Sequence, residues 1–161
     1  MRLSRTKRKE QERVLSFRIG VVEDASPIYS ISKNAYQITC SLADLRNRLD
    51  TMLHQANTIF YVALKNDEVV GYIYATLEYS LFEDPTIVLC NVAVDPQYQN
   101  HGIGTLLIHQ VETWAQDHQI QKMKVYCPDS HPDEKLQFFQ QYNCDSQNCY
   151  YAFVKQLENE Q

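Results

Sequence analysis

Residues 87–107 read IVLCNVAVDPQYQNHGIGTLL. The apolar run Ile87 to Val94 predicts a buried strand. Asp95-Pro96 ends it, because proline cannot donate to a ladder and restrains the residue before it. After Gln99-Asn100-His101-Gly102-Ile103-Gly104 an apolar-periodic helix begins. The order is strand, loop with two glycines, helix. The first amides of such a helix lack intrahelical partners and sit at the positive end of its dipole, a geometry that binds phosphate. Glycine lets backbone approach a ligand without an intervening Cβ. The pair Gly102 and Gly104 is not a dinucleotide fingerprint, since a third glycine is missing. Nor is it a P-loop, since no Gly-Lys-Ser/Thr follows. On the glycines alone, a plain connecting turn is as good a reading.

The wider string is more specific. Asn91-Val92-Ala93-Val94-Asp95-Pro96, followed by Tyr98-Gln99-x-x-Gly102-x-Gly104-x-x-Leu107, resembles the acetyl-coenzyme A signature of the GNAT N-acetyltransferase superfamily. The resemblance implies that the backbone of Val92, Ala93 and Val94 meets the pantetheine. It also implies that Gln99, Asn100, His101, Gly102, Ile103, Gly104 and Thr105 wrap the pyrophosphate, with acetyl-coenzyme A as cosubstrate. Phe138-Phe139-Gln140-Gln141-Tyr142-Asn143-Cys144 stands where the family commonly has Phe-Tyr-x-x-x-Gly-Phe. Many members carry a tyrosine at the position of Phe139, as the acid for the departing thiolate, and phenylalanine has no proton to give. The asparagine that many members place seven residues earlier is here Pro132. Where some members carry a carboxylate base on the fourth strand, this chain has Cys90 or Asn91.

The remaining residues alternate between strand and helix patterns. Phe17 to Val22 predicts a first strand. A helix starts at Glu23-Asp24-Ala25-Ser26-Pro27, with Asp24 or Ser26 as cap. Ser41 starts a second helix, with Leu42, Leu45, Leu49 and Leu53 on one face. Ile59 to Leu64 and Val69 to Tyr79 form a hairpin across Lys65-Asn66-Asp67-Glu68. The helix after the glycines runs to about His118, with Leu106, Leu107, Val111 and Trp114 inward. Lys122 to Cys127 is a strand, Pro132 to Gln141 a helix and Tyr150 to Leu157 a last strand. The expected fold is α/β of the α+β type: a mixed, mostly antiparallel central sheet flanked by helices.

Size and composition fit one domain. The chain has 161 residues and is 44% hydrophobic, enough for a proper core. We expect a basic N-terminal extension over residues 1–14 and a single domain over 15–161. The arm holds six basic and two acidic side chains, a net of +4, against −5 for the whole chain, so Leu15 to Gln161 carries −9. An acidic body draws cationic partners, although solubility alone explains most such charge. No apolar run reaches the ~18 residues of a membrane span, and the basic N-terminus lacks a signal-peptide core. The five cysteines are scattered, without metal-ligand spacing, which reads as free thiols in a reducing cytoplasm. No metal, membrane or nucleic-acid partner is expected, and a homodimer is left open.

For catalysis, an amine must be neutral to attack a thioester, and the oxyanion needs a donor that a backbone N–H on a splayed strand can supply. Glu78, near the end of the third strand, is the candidate base. Tyr142, one turn after Phe139, is the candidate acid. The bland readings are a solvated strand-end carboxylate and a core tyrosine. Glu83, Asp84, His131 and Cys90 have weaker claims. The expected activity is acetyl transfer to a primary amine, with a cationic small molecule as acceptor. The alternatives are acetylation of protein N-termini or lysines, and a non-catalytic acyl-coenzyme A-binding module.

Overall fold

The computed structural model describes residues 14–126, 137–140 and 153–156. Residues 1–13 of the basic arm, most of the expected late helix, His131 and Tyr142 lie outside them. Two compact units, Met1–Tyr126 and Cys127–Gln161, divide the chain.

The first unit is built on a five-stranded sheet in sequential order. The strands are β1 (Leu15–Ile19), β2 (Thr58–Lys65), β3 (Glu68–Glu78), β4 (Thr86–Val94) and β5 (Lys122–Val125). Neighbours are antiparallel up to β4, and β4 pairs with β5 in parallel. The helices are α1 (Ala25–Ala35), α2 (Leu42–Leu53) and α3 (Ile103–Asp117). This is the mixed, mostly antiparallel sheet flanked by helices that the sequence pattern implies.

Local chemistry sets the boundaries. Asn66 and Asp67 join β2 to β3 with φ of 53° and 65°, the positive pair of a two-residue turn that suits the strand twist. Ser41 caps α2: its hydroxyl accepts from the Asp44 N–H, and the Asp44 carboxylate accepts from the Ser41 N–H, a reciprocal capping box.

Asp24 behaves differently from a side-chain cap. Its carboxylate turns back to accept the Val21 N–H at 2.9 Å and both Arg18 guanidinium nitrogens at 2.7 and 2.8 Å. This ties β1 to the start of α1. Strand β1 accordingly ends at Ile19 rather than Val22, and a short 3-10 turn over Val22–Asp24 intervenes.

Side-chain alternation sorts the sheet's two faces. Phe60, Val62, Leu64 and Tyr72 join Ala25, Ile28, Ile31, Leu49 and Ala93 in one core, under α1 and α2. Here Phe60 stacks on Tyr72 at 6.0 Å between centroids, and the Tyr72 hydroxyl bonds that of Ser32 at 2.7 Å. On the opposite face Leu107 of α3 packs at Gly71, and Leu107, Ile108 and Val111 are fully buried. Removing such a side chain to alanine costs about 2–5 kcal/mol.

Three expectations need correction. Leu106 is exposed and Ile108 is buried instead, because α3 lies on the sheet along its Ile103-Leu107-Ile108-Val111 stripe. Leu42 is exposed at the first turn of α2, short of the core that Leu49 reaches. Residues 153–156, expected within a last strand, are not in a strand.

The Arg18–Asp24 tie has a pH signature. Burial pushes the Asp24 carboxyl up, but the Arg18 guanidinium and the Val21 N–H outweigh it and hold it below its ordinary 3.8. A carboxyl lowered on folding adds stability above its unfolded value, and this is lost as pH falls through the lower folded value. Asp24→Asn is expected to lower unfolding free energy at pH 7 by about 1–3 kcal/mol. Denaturant titrations should show the wild type and variant converging below pH 4; a constant gap from pH 7 to 3 would refute the linkage.

Candidate active site

The site begins at an irregularity in β4. Tyr74 pairs with Asn91 but Ala75 pairs with Leu89, so Cys90 is an extra residue, a β-bulge. Strand β5 pairs with β4 over Thr86 to Leu89. Beyond Leu89, no described strand lies on the outer edge of β4. The bulge and the end of pairing coincide, as expected where a bulged strand bends away from its neighbour.

Beyond the bulge the backbone alternates. Asp95 N–H donates inward to Val70 O at 2.8 Å, so Val94 and Val92 turn their amides and carbonyls outward. Val94 O accepts from Gln99 Nε2 at 3.0 Å. Both outward groups of Val92 meet the Tyr36 hydroxyl: Val92 N–H donates to it at 3.1 Å, and it donates to Val92 O at 2.9 Å. Ala93 lies between them, buried in the core.

The chain then runs through the short turn Pro96–Tyr98, capped by Asp95 on the Gln97 N–H, to the glycine loop. Asn100 has φ of 61° and Gly102 of 79°. His101 turns its Nδ1 to Gln99 O at 2.7 Å. Gly102 is the N-cap of α3 and offers no side-chain cap, so the first α3 amides are left for water or a ligand. Ile103 is buried and anchors the helix, while Thr105 is exposed. A Cβ on Gly104 would meet nothing nearer than Val94 at 4.0 Å. The outer edge of β4 and the open end of α3 thus form one continuous run of backbone polar groups. That run suits a long ligand with amides at one end and phosphates at the other.

A polar floor adjoins this edge. Tyr72, Tyr74, Thr76 and Glu78 occupy one face of β3 and become progressively more exposed along it. Cys90 Sγ lies 3.8 Å from Thr76 Oγ1. Burial raises the Cys90 thiol, and the nearby Glu78 charge adds to this. The thiol is thus kept protonated and is a poor nucleophile. Glu78 is exposed at the end of the row.

Glu83 does not share this floor. It accepts from Lys122 and Lys124 of β5 at 3.0 and 3.2 Å, and these bonds lower its pKa. One of the weaker candidates for catalysis, it ties the β3–β4 loop to β5. Phe139, in the second unit, is buried and meets Phe138 edge-on. Tyr142, the candidate acid, lies outside the described residues.

Sequence reading did not single out Tyr36, Tyr74 or Thr76. The period-two relation of Tyr74 and Thr76 to Glu78 was a usable signal, since alternate strand residues share a face. Nothing in the sequence links Tyr36 to Val92, because that contact joins the end of α1 to β4.

The profile of the Acetyltransferase (GNAT) family matches residues 25–143. The chain belongs to the GNAT acetyltransferase family. No curated protein matches its sequence. Among solved structures it resembles the aminoglycoside N-acetyltransferase AAC(6′)-Iy in complex with CoA, with TM-score 0.79 and 13% identity over 91% of this chain and 98% of that one. It also resembles the aminoglycoside acetyltransferase meta-AAC0020 from an uncultured soil metagenomic sample, in complex with sisomicin, with TM-score 0.71 and 17% identity over 88% and 97%. A possible acetyltransferase from Clostridium difficile 630 gives TM-score 0.71 and 20% identity over 88% and 99%. At these identities the likeness establishes the fold. Among the described residues no helix is long and apolar enough to cross a membrane, and no cluster could hold a metal ion.

Proposed function

We propose that this acetyltransferase moves the acetyl group of acetyl-coenzyme A to a primary amine on a cationic small molecule. The observation that carries the cofactor half is the outward edge at Val92 and Val94 leading into the open N-terminus of α3. The outward groups of Val92 and Val94 would take the pantetheine amides. The amides from Gly102 to Thr105 would take the pyrophosphate, and Gly104 leaves room for it. This agrees with the neighbour solved with CoA and with the family signature.

Acetyl-coenzyme A supplies a thioester, whose carbon the amine attacks. The chain's residues then have three tasks. A backbone N–H at the bulge of β4, apart from those of Val92 and Val94, stabilises the oxyanion, a preorganised dipole that needs no reorientation during the reaction. Glu78, directly or through water, takes the proton that the ammonium must lose. The floor of Tyr74 and Thr76 positions the acceptor, and positioning alone can supply much of the rate. A thiolate needs little help to leave.

The acceptor half rests on three supports. Glu78 and Tyr74 offer a carboxylate and an aromatic face, both of which attract ammonium. The body of the chain carries −9. The neighbours include aminoglycoside acetyltransferases, one solved with sisomicin.

The cofactor assignment is tested at Gly104. Valine there meets open space and is a better helix former than glycine, so Gly104→Val should remain folded. Calorimetry should show coenzyme A binding at least tenfold weaker, because the branched side chain blocks approach to the α3 amides. Unchanged affinity in the folded variant would defeat the assignment.

The acceptor assignment is tested by thiol release with a polyamine or an aminoglycoside. Glu78→Gln should cut kcat/KM by roughly 10²-fold and remove the acidic limb of the pH profile. A uniform drop would reassign Glu78 to acceptor binding. Glu83→Gln should leave KM for the amine unchanged. Activity should fall as salt rises, given a Debye length of about 8 Å at physiological ionic strength. Equal turnover of neutral amines without salt dependence would remove the cationic acceptor. Coenzyme A binding with no thiol released by any amine would favour a non-catalytic module.

A further inference from the structure

Tyr36 is the C-cap of α1. Its backbone is extended, and its N–H donates to Ser32 O at 2.8 Å, the last bond of the helix. The ring packs against the core under α1 and α2, so the position of the hydroxyl is set by the fold. Burial raises this phenol above its ordinary 10.0, outweighing the Val92 carbonyl and the Asn91 side chain. It therefore stays protonated and can donate and accept at once.

The hydroxyl does both toward Val92. It accepts from Val92 N–H at 3.1 Å and donates to Val92 O at 2.9 Å. A neighbouring strand would satisfy Val92 in the same way, through one acceptor and one donor on the same edge. Tyr36 thus supplies one rung of a ladder that no described strand provides past Leu89. An amide-bearing chain laid along this edge needs the same two groups, and both ligands cannot hold them at full strength together.

We propose that the Tyr36 hydroxyl occupies the place of the coenzyme arm on Val92 and is displaced by it. The hydroxyl keeps Val92 paired before the arm arrives, and the arm's amide exchanges with it on binding. The inference rests on the proposed cofactor site. It adds that Val92 is already paired by hydrogen bonds that must be given up, and that this surrender weakens binding.

Calorimetry of coenzyme A with the wild type and Tyr36→Phe tests it. Phenylalanine keeps the ring packing and leaves Val92 to water. A net intramolecular hydrogen bond is small, so the variant should bind coenzyme A about 2- to 10-fold tighter. A purely structural role for the hydroxyl would loosen β4 and weaken binding, the opposite sign. Equal or weaker binding by a folded Tyr36→Phe, beside a wild type that binds, overturns this inference and leaves the cofactor site standing. A wild type that does not bind coenzyme A overturns both. A second readout needs no variant to fold: in wild-type protein carrying 13C at the tyrosine Cζ, the Tyr36 resonance should shift as coenzyme A is titrated in. A Tyr36 signal unmoved at saturation would also overturn the exchange.

Discussion

The first unit depends on the outer edge of β4 beyond Cys90, where no described strand pairs. A sheet normally satisfies each strand edge with another strand. Among the described residues β5 pairs with β4 only from Thr86 to Leu89, and the bulge at Cys90 coincides with the end of that pairing. The edge residues Val92 and Val94 must then find other partners. They find the Tyr36 hydroxyl and the Gln99 side chain. An exposed edge is ordinarily a liability. Here it is short and met by side chains, which makes it a poor template for aggregation and leaves it accessible to the ligand proposed for it.

The rest of the first unit holds that edge in place. Core packing beneath α1 and α2 fixes Tyr36, and Leu107, Ile108 and Val111 of α3 fix the opposite face. The Arg18–Asp24 pair anchors the start of α1 to β1, and the C-cap of α1, Tyr36, meets Val92. Because α3 is anchored by Ile103 immediately after Gly102, its first amides are held rigidly while their surroundings stay open. Each of these contacts is ordinary, and together they preorganise backbone dipoles at small cost in flexible side chains.

Charge is divided in the same economical way. Glu83 is spent on Lys122 and Lys124, joining a loop to β5. Glu78 stands exposed at the end of the β3 row, beside a thiol held in its protonated form. Two carboxylates five residues apart thus have different surroundings, because the β3–β4 connection carries Glu83 to the lysines of β5 and leaves Glu78 at the end of β3.

The sequence by itself determined the elements whose cause is local. The Asn66-Asp67 turn, the Ser41 capping box, the strand ending at Asp95-Pro96 and the glycine loop opening α3 follow from near-neighbour chemistry. Residues within a few positions of one another create each, and the family signature lies within one such stretch. Only the tertiary structure decided which leucines of α2 and α3 are buried, since helical periodicity names a stripe and the sheet selects its edge. It also decided that Glu83 belongs to β5, that Thr76 and Cys90 meet across the bulge, and that Tyr36 pairs with Val92 fifty-six positions away. Register and strand splay arise from the packing of whole layers. No local pattern encodes them, and the open edge on which the site is built exists only once β5 has parted from β4.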